Sequence, residues 1–341
     1  MNGAHRVLVI GAGSIGERHI RCFAATGRSE IALCEVNPEL RSRIAGQYPV
    51  SAAFETLEAA LESQPDVVVV ATPAPLHVPM AAAGVAAGAN VLIEKPLSTT
   101  LDGIASLHLQ AHDRQVIVGV AYVYRCHPAL AAMQLAIQQG RIGRPVEIVA
   151  TCGQHFPLYR PAFRETYYKE RATGGGAVQD ALTHVMNAGE WLVGPADRLV
   201  ADVDRLVLDG VHVEDTAHVL TRQGGVMGIY SLNQHQAPNE ITITVIGTRG
   251  AARFEYHRNQ WMSMTEPGKN WHIELVAPLE RDTLFTRQAD AFLNAVEGRA
   301  LPLCDLNAGW QTLRVNLAIL RSAESGQWER VTDDSSGSEE R

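Results

Sequence analysis

The run Val7-Leu8-Val9-Ile10-Gly11-Ala12-Gly13-Ser14-Ile15-Gly16 constrains this chain more than any other stretch. Four apolar residues predict a buried strand. Ile15, Ile20, Phe23 and Ala24 then fall on one side of an amphipathic helix. The turn that joins them reads G-x-G-x-x-G. Gly11 permits the tight strand-to-helix turn, Gly13 lets a pyrophosphate approach the backbone, and Gly16 lets the helix pack closely on the strand. Ser14 and Ile15 open the helix, whose free N–H groups suit an anion. Gly11, Gly13, Ser14, Ile15 and Gly16 are therefore expected to hold a dinucleotide.

An acid stands at the distance such a site requires. Glu35 ends a second apolar strand, Ile31–Cys34, about 20 residues beyond the last glycine. A carboxylate there accepts both hydroxyls of an adenosine ribose and repels a 2′-phosphate, so NAD is expected rather than NADP. Arg41 and Arg43 lie a little further on and keep some use of NADP open.

The first 125 residues continue this alternation of strand and helix. Helical stretches are expected at 39–47, 57–63, 77–88 and 101–114, with strands at 66–71, 90–93 and 116–120. The valine run Val67–Val70 reads as a strand buried on both faces. Thr72-Pro73 breaks the chain at that strand's carboxyl end, where open α/β sheets bind ligands, so Thr72, Pro73 and the nearby His77 are candidate cofactor contacts. The expected fold class is α/β, a doubly wound parallel sheet of the Rossmann type over residues 1–125. A second, α+β domain with a large and mostly antiparallel sheet is expected over 126–330. Its signature is the alternation in Ile241-Thr242-Ile243-Thr244-Val245. Strands are expected at 146–152, 199–208, 216–221, 228–232 and 241–246, and two late helices at 284–297 and 306–324. Residues 331–341 lack apolar content and are expected to be a disordered tail.

Composition narrows the function classes. The 341 residues are 46% hydrophobic and 19% charged, enough for two packed cores. A net charge of −8 argues against a nucleic-acid partner. No apolar run reaches the ~20 residues of a membrane span, and the N-terminus lacks a signal-peptide pattern. Five widely spaced cysteines without a C-x-x-C, and histidines without H-E-x-x-H, suggest neither a disulfide framework nor a metal site. A cytoplasmic, reducing setting is expected.

Three further stretches carry a specific resemblance. They are Glu94-Lys95-Pro96; Tyr122-Val123-Tyr124-Arg125-Cys126-His127-Pro128, running on to Gly140–Pro145; and Gly175-Gly176-Ala177-Val178-Gln179-Asp180-Ala181-Leu182-Thr183-His184. From Val7 to about Trp328 the chain resembles the Gfo/Idh/MocA family, the glucose-fructose oxidoreductase and inositol dehydrogenase group. It departs at Ala74, where members often carry Asn. The resemblance implies a catalytic set of Lys95, Asp180 and His184, with Glu94 and Lys95 at the cofactor and Lys95, Asp180 and His184 at the substrate.

The residue types suit that chemistry. Oxidising an alcohol with NAD requires a group that takes the hydroxyl proton as hydride leaves carbon. Histidine, with an unperturbed pKa near ~6.5, does this near neutrality. Asp180 and His184, four apart on an expected helix, share a face, so the carboxylate can orient the imidazole. Lys95 can hydrogen-bond the oxygen and favour the alkoxide.

Substrate contacts are sought among Tyr124 and Arg125 and in the segment His155–Arg171, where aromatic and basic residues intermingle. His155, Arg160, Arg164, Tyr167 and Tyr168 would stack on sugar faces or donate to hydroxyl, carboxylate or phosphate oxygens. A surface or assembly loop is the other reading of this segment.

The expected activity is hydride transfer between nicotinamide and a hydroxyl-bearing carbon of a sugar, a sugar derivative (nucleotide-linked ones included) or a cyclitol. An NAD-dependent glycosidase and a non-catalytic dinucleotide or sugar sensor are the alternatives. Assembly into a homodimer or homotetramer through the second domain's sheet is also expected. Val203, Val219, Ile229 and Ile243 are too apolar for both faces to be wet.

Overall fold

Four consecutive valines can be buried only inside a sheet covered on both faces, and that is where they lie. The computed structural model describes residues 4–275 and 278–332. Among these, Val67–Val70 forms β4, completely buried, at the centre of a six-stranded sheet. The others are β1 (His5–Ile10), β2 (Ser29–Cys34), β3 (Val50–Phe54), β5 (Asn90–Ile93) and β6 (Val118–Val120), in the order β3-β2-β1-β4-β5-β6. Every pairing is parallel. The strand order reverses direction at β1/β4, the switch point where such sheets bind ligands. Helices α1 (Ser14–Ala25), α2 (Pro38–Gln47), α3 (Leu57–Glu62), α4 (His77–Ala86) and α5 (Ile104–Asp113) provide the connections. Helix α2 starts where Asn37 caps Leu40 N–H and Pro38 occupies the first turn.

The second sheet is built from β7 (Pro145–His155), β8 (Arg198–Asp204), β9 (Thr216–Gln223), β10 (Val226–Asn233), β11 (His235–Gly247), β12 (Gly250–Glu255), β13 (Gln260–Met264), β14 (His272–Leu275) and β15 (Glu329–Arg330). Its order is β14-β13-β12-β11-β7-β10-β9-β8-β15, antiparallel except for the β7/β10 pair. The remaining helices are α6 (Pro128–Gln138), a single turn α7 (Phe156–Tyr159), α8 (Thr183–Val193), α9 (Thr283–Val296) and α10 (Leu306–Ser325). Val219, Tyr230 and Ile243 point to the face that α8 covers and are fully buried. The opposite face carries Leu220, Ile229, Val149 and Thr244 in one cross-strand row.

The chain divides into two compact units. The first comprises the residues up to Ser98, Asp102–Cys126 and Leu279–Trp310, and the second Thr99–Leu101, His127–Pro278 and the chain from Gln311 onward. Residues 279–310 thus belong to the first unit, contrary to a single second domain over 126–330. The reason is packing. Ala289, Phe292 and Leu293 of α9 fill the same core as Ile20, Phe23 and Leu33. Strands β3 and β12–β15 were not anticipated, and the helix at 101–114 starts only at Ile104, after a left-handed Gly103. The polar tail at 331–341 lies, except for residues 331 and 332, outside the described residues.

Candidate active site

The glycine turn is shaped by close approach. Gly11 N–H donates to Cys34 O at 2.8 Å and ties the turn to the end of β2. Gly11 has φ +91°, and a Cβ on Gly16 would come within 1.9 Å of Gly11 O. Space around Gly13 is open, and Gly13 and Ser14 are exposed. Helix α1 begins there with no side chain capping its N–H groups. An open cradle of backbone donors at a helix N-terminus fits the pyrophosphate of a dinucleotide. The buried Thr72 hydroxyl beside Gly11 has no hydrogen-bond partner and adds a polar atom to the same wall.

Glu35 follows β2 beside this turn. Its carboxylate accepts Ala12 N–H at 2.7 Å and Asn37 N–H at 2.9 Å. A carboxylate has about four acceptor sites, so two remain for ribose hydroxyls. Arg41 donates to Glu35 O at 2.6 Å and pairs with Glu55, and Arg43 pairs with Glu17 at 3.4 Å. Both arginines are engaged with the protein, which favours NAD.

Two residues expected at the cofactor are buried and hydrogen-bonded within the first unit. The His77 ring is buried, with Nδ1 2.8 Å from Pro96 O and Nε2 2.7 Å from Thr72 O. Burial lowers its pKa despite these carbonyls. It links the segments that follow β4 and β5. Glu94 is also buried. Its Oε1 lies 2.7 Å from His19 Nε2 on α1, and its Oε2 accepts Lys95 N–H at 3.0 Å. Burial opposes ionisation of Glu94, but the His19 hydrogen bond and charge hold its carboxyl below the usual range. Both oxygens meet protein donors and the side chain is enclosed, so it lies inside the wall beside Lys95. Lys95 itself is half-buried just past the carboxyl end of β5.

Arg125 is tied into the first unit. Its guanidinium is buried and donates to Leu303 O at 2.8 Å, a brace inside the first unit. Tyr124 sits half-buried in the same turn, Val123–Cys126.

In the second unit, the segment after β7 splits by residue. Phe156, Phe163 and Tyr168 form a small core with Leu208, Val211 and Val213. Tyr168 is buried there and donates to Gln234 Oε1, so its expected substrate contact is withdrawn. Burial pushes its phenol pKa upward. Arg164 lies over the Phe163 ring and donates to Asp209 O at 2.8 Å, which gives it a structural task. His155 and Arg160 are exposed. Tyr167 donates its hydroxyl to Asp180 Oδ1 at 2.7 Å, so this segment does reach the glycine-rich motif.

Asp180 stands in a π-helical turn, Val178–Leu182, and His184 lies in the first turn of the α-helix that follows, α8. The expected uniform α-helix is thus corrected. The wider turn changes how the two side chains are offset, and such turns are frequent at functional sites. Both residues are half-buried.

Sequence reasoning missed His19 and Glu214. His19 shares the buried stripe of α1 with Gly16, Ile20 and Phe23, and a histidine on an apolar stripe signals a partner. No local pattern marks Glu214.

A switch-point dinucleotide cradle with an acid after β2 defines an NAD-binding Rossmann domain. Residues 5–122 match the family model described as an oxidoreductase family with an NAD-binding Rossmann fold, and residues 130–253 match the GFO/IDH/MocA C-terminal domain. The chain belongs to the Gfo/Idh/MocA family.

Among curated relatives, it is 28% identical over 288 residues to the levoglucosan dehydrogenase of Pseudarthrobacter phenanthrenivorans, covering 73% of each chain. It is 28% identical over 326 residues to the 1,5-anhydro-D-fructose reductase of Ensifer adhaerens, covering 94% of this chain and 96% of the relative. Among solved structures, the WlbA dehydrogenase from Bordetella pertussis, in complex with NADH and UDP-GlcNAcA, superposes with a TM-score of 0.83 at 25% identity. That match covers 98% of this chain and 99% of the other. A levoglucosan dehydrogenase in complex with NADH superposes with a TM-score of 0.88 at 23% identity, over 96% and 99%, and shares the fold.

Proposed function

We propose that this protein transfers hydride between NAD and a hydroxyl-bearing carbon of a sugar, a sugar derivative or a cyclitol. The observation that carries the reading is the Asp180–His184 turn, with Tyr167 on Asp180, in a chain that also holds an NAD cradle and Lys95. The relatives named above, which act as dehydrogenases and reductases on such compounds, support it. NAD supplies the hydride acceptor when bound. His184 takes the proton of the oxidised hydroxyl, and Lys95 hydrogen-bonds the oxygen and favours the alkoxide. Asp180 orients this proton transfer. Tyr124, His155, Arg160 and Tyr167 remain the candidate substrate contacts.

The test is a panel of levoglucosan, anhydrosugars, inositols and nucleotide-linked uronic acids incubated with NAD and read by NADH absorbance. NADH accumulation on one class is expected. Hydrolysed product without NADH would point instead to the glycosidase alternative, and binding without turnover to a sensor.

Cofactor choice gives a second expectation. Glu35→Ser removes the charge that opposes a 2′-phosphate, so the preference for NAD over NADP narrows by about tenfold or more. Fluorescence titration with both nucleotides measures this. An unmodified protein that binds NADP more tightly would overturn the role of Glu35.

We further infer a homodimer or homotetramer in which a second copy covers the outer face of the nine-stranded sheet. Leu220, Met227 and Ile229 are 47%, 53% and 42% exposed there, a contiguous apolar surface across paired strands. Light scattering is expected to give a multiple of the 37.0 kDa chain mass, and a monomer at micromolar concentration would refute it. The five free thiols support a reducing, cytoplasmic setting.

A further inference from the structure

The glycines before Asp180 raise a question that flexibility alone does not answer. Gly176 has φ +92°, and a Cβ on it would lie 2.4 Å from Glu214 Oε1. A Cβ on Gly175 would lie 2.1 Å from Tyr168 O. Both positions are therefore closed to side chains by specific neighbours. One neighbour is the segment 155–171. The other is the carboxylate of Glu214, which comes from the stretch just before β9.

Glu214 is 4% exposed, in a place where a carboxylate is costly unless its oxygens are used. They are used. Oε1 accepts Val178 N–H at 3.1 Å, at the first residue of the π-helical turn. Oε2 lies 3.4 Å from the guanidinium of Arg171, the last residue of the aromatic and basic segment. The Glu214 carbonyl accepts Ala177 N–H at 2.9 Å. Arg171 is bound to the same turn a second time, because its carbonyl accepts from Gln179 Nε2 at 3.1 Å. One buried side chain thus grips the start of the turn that carries Asp180 and the end of the segment that supplies Tyr167.

We propose that Glu214 is a positioning residue of the catalytic turn. By capping Val178 and anchoring Arg171 it sets the placement of Asp180 and His184, and it selects glycine at position 176. It does not touch substrate or cofactor. Burial pushes its carboxyl above the ordinary range, so the arrangement depends on the Val178 and Arg171 donors that face it. Glutamine keeps an oxygen for Val178 N–H, whereas alanine leaves that buried donor unsatisfied.

The kinetic arm of the test rests on the oxidoreductase reading, and the exchange arm does not. The full-length protein, Glu214→Gln and Glu214→Ala are compared by hydrogen exchange over residues 176–184, by kcat and KM on the best sugar, and by NAD titration. Glu214→Ala is expected to exchange about tenfold or more faster in this stretch, with a comparable fall in kcat. NAD affinity stays unchanged, and Glu214→Gln recovers most of both losses. Equal damage in the two variants, or an alanine variant with unaltered exchange and kcat, overturns the proposal. If the alanine variant does not fold, Gly176→Ala replaces it. Its Cβ meets the carboxylate, and unchanged exchange over 176–184 in that variant overturns the proposal equally. If no sugar is oxidised, the function reading fails while the exchange result still decides the role of Glu214.

Discussion

His184→Ala and Lys95→Ala are expected to lower kcat by about 10²–10⁴-fold each, far more than they weaken NAD binding. The split follows from where each group acts. The proposed nucleotide cradle is the glycine turn with Glu35, and neither substitution touches those donors and acceptors. The proton of the oxidised hydroxyl, in contrast, has no acceptor once the imidazole is gone, and the developing alkoxide loses a cation when Lys95 is removed. Each factor of ten corresponds to about 1.4 kcal/mol of transition-state stabilisation. Asp180→Asn tests the third member. It keeps an oxygen for the Tyr167 hydroxyl but removes the charge, so its loss is expected to be smaller. Stopped-flow or steady-state NADH absorbance gives kcat, and fluorescence quenching gives the nucleotide affinity. Near-normal turnover in both alanine variants removes these residues from the chemistry. A large loss in only one assigns the proton to that residue.

The first unit was largely legible from the sequence because its signals are local. A valine run, a glycine turn and an acid after the next strand each have one physical interpretation at short range, and β1, β2, β4 and β5 lie where these place them. Strand β3 escaped because Val50-Ser51-Ala52-Ala53-Phe54 is short and rich in small residues. In the second unit, β12–β15 escaped because they are held by pairing with distant strands more than by their own alternation.

The site was legible as residue types but not as environments. Tyr167 and Tyr168 are adjacent and chemically identical, yet one bonds Asp180 and the other fills a core. Similarly, His77 was found by its place after a strand and Glu94 through the family resemblance, but their partners, Thr72, Pro96 and His19, tie them into the chain. A spacing of four between Asp180 and His184 cannot distinguish an α-turn from a π-turn. Long-range partners settle such questions, and a lone sequence does not display them.

The buried pair of His19 and Glu94 carries the largest stability expectation. Removing the partner of a buried carboxylate typically costs about 3–5 kcal/mol, because its charge is left uncompensated. His19→Leu is expected to destabilise the protein by about that much near neutral pH, measured by urea denaturation. The pH dependence separates this cause from lost packing. In the unmodified protein the Glu94 carboxyl sits below its ordinary value, so the stabilisation it provides is complete above the unfolded pKa. It is lost as pH falls through the lower, folded pKa. Without the imidazole, burial acts against only the N–H and charge of Lys95, so the Glu94 pKa rises and folding favours the ionised acid less. The variant's deficit is therefore widest at neutral pH and shrinks as pH approaches about 4.3, where the unfolded carboxyl also takes up its proton. His19→Gln, whose amide can donate to the same oxygen, is expected to lose less at neutral pH. A deficit in His19→Leu that stays constant from pH 7 to pH 4.5 would mean that the ring's packing against Phe23 and Phe285, rather than its bond to Glu94, holds this part of the fold together.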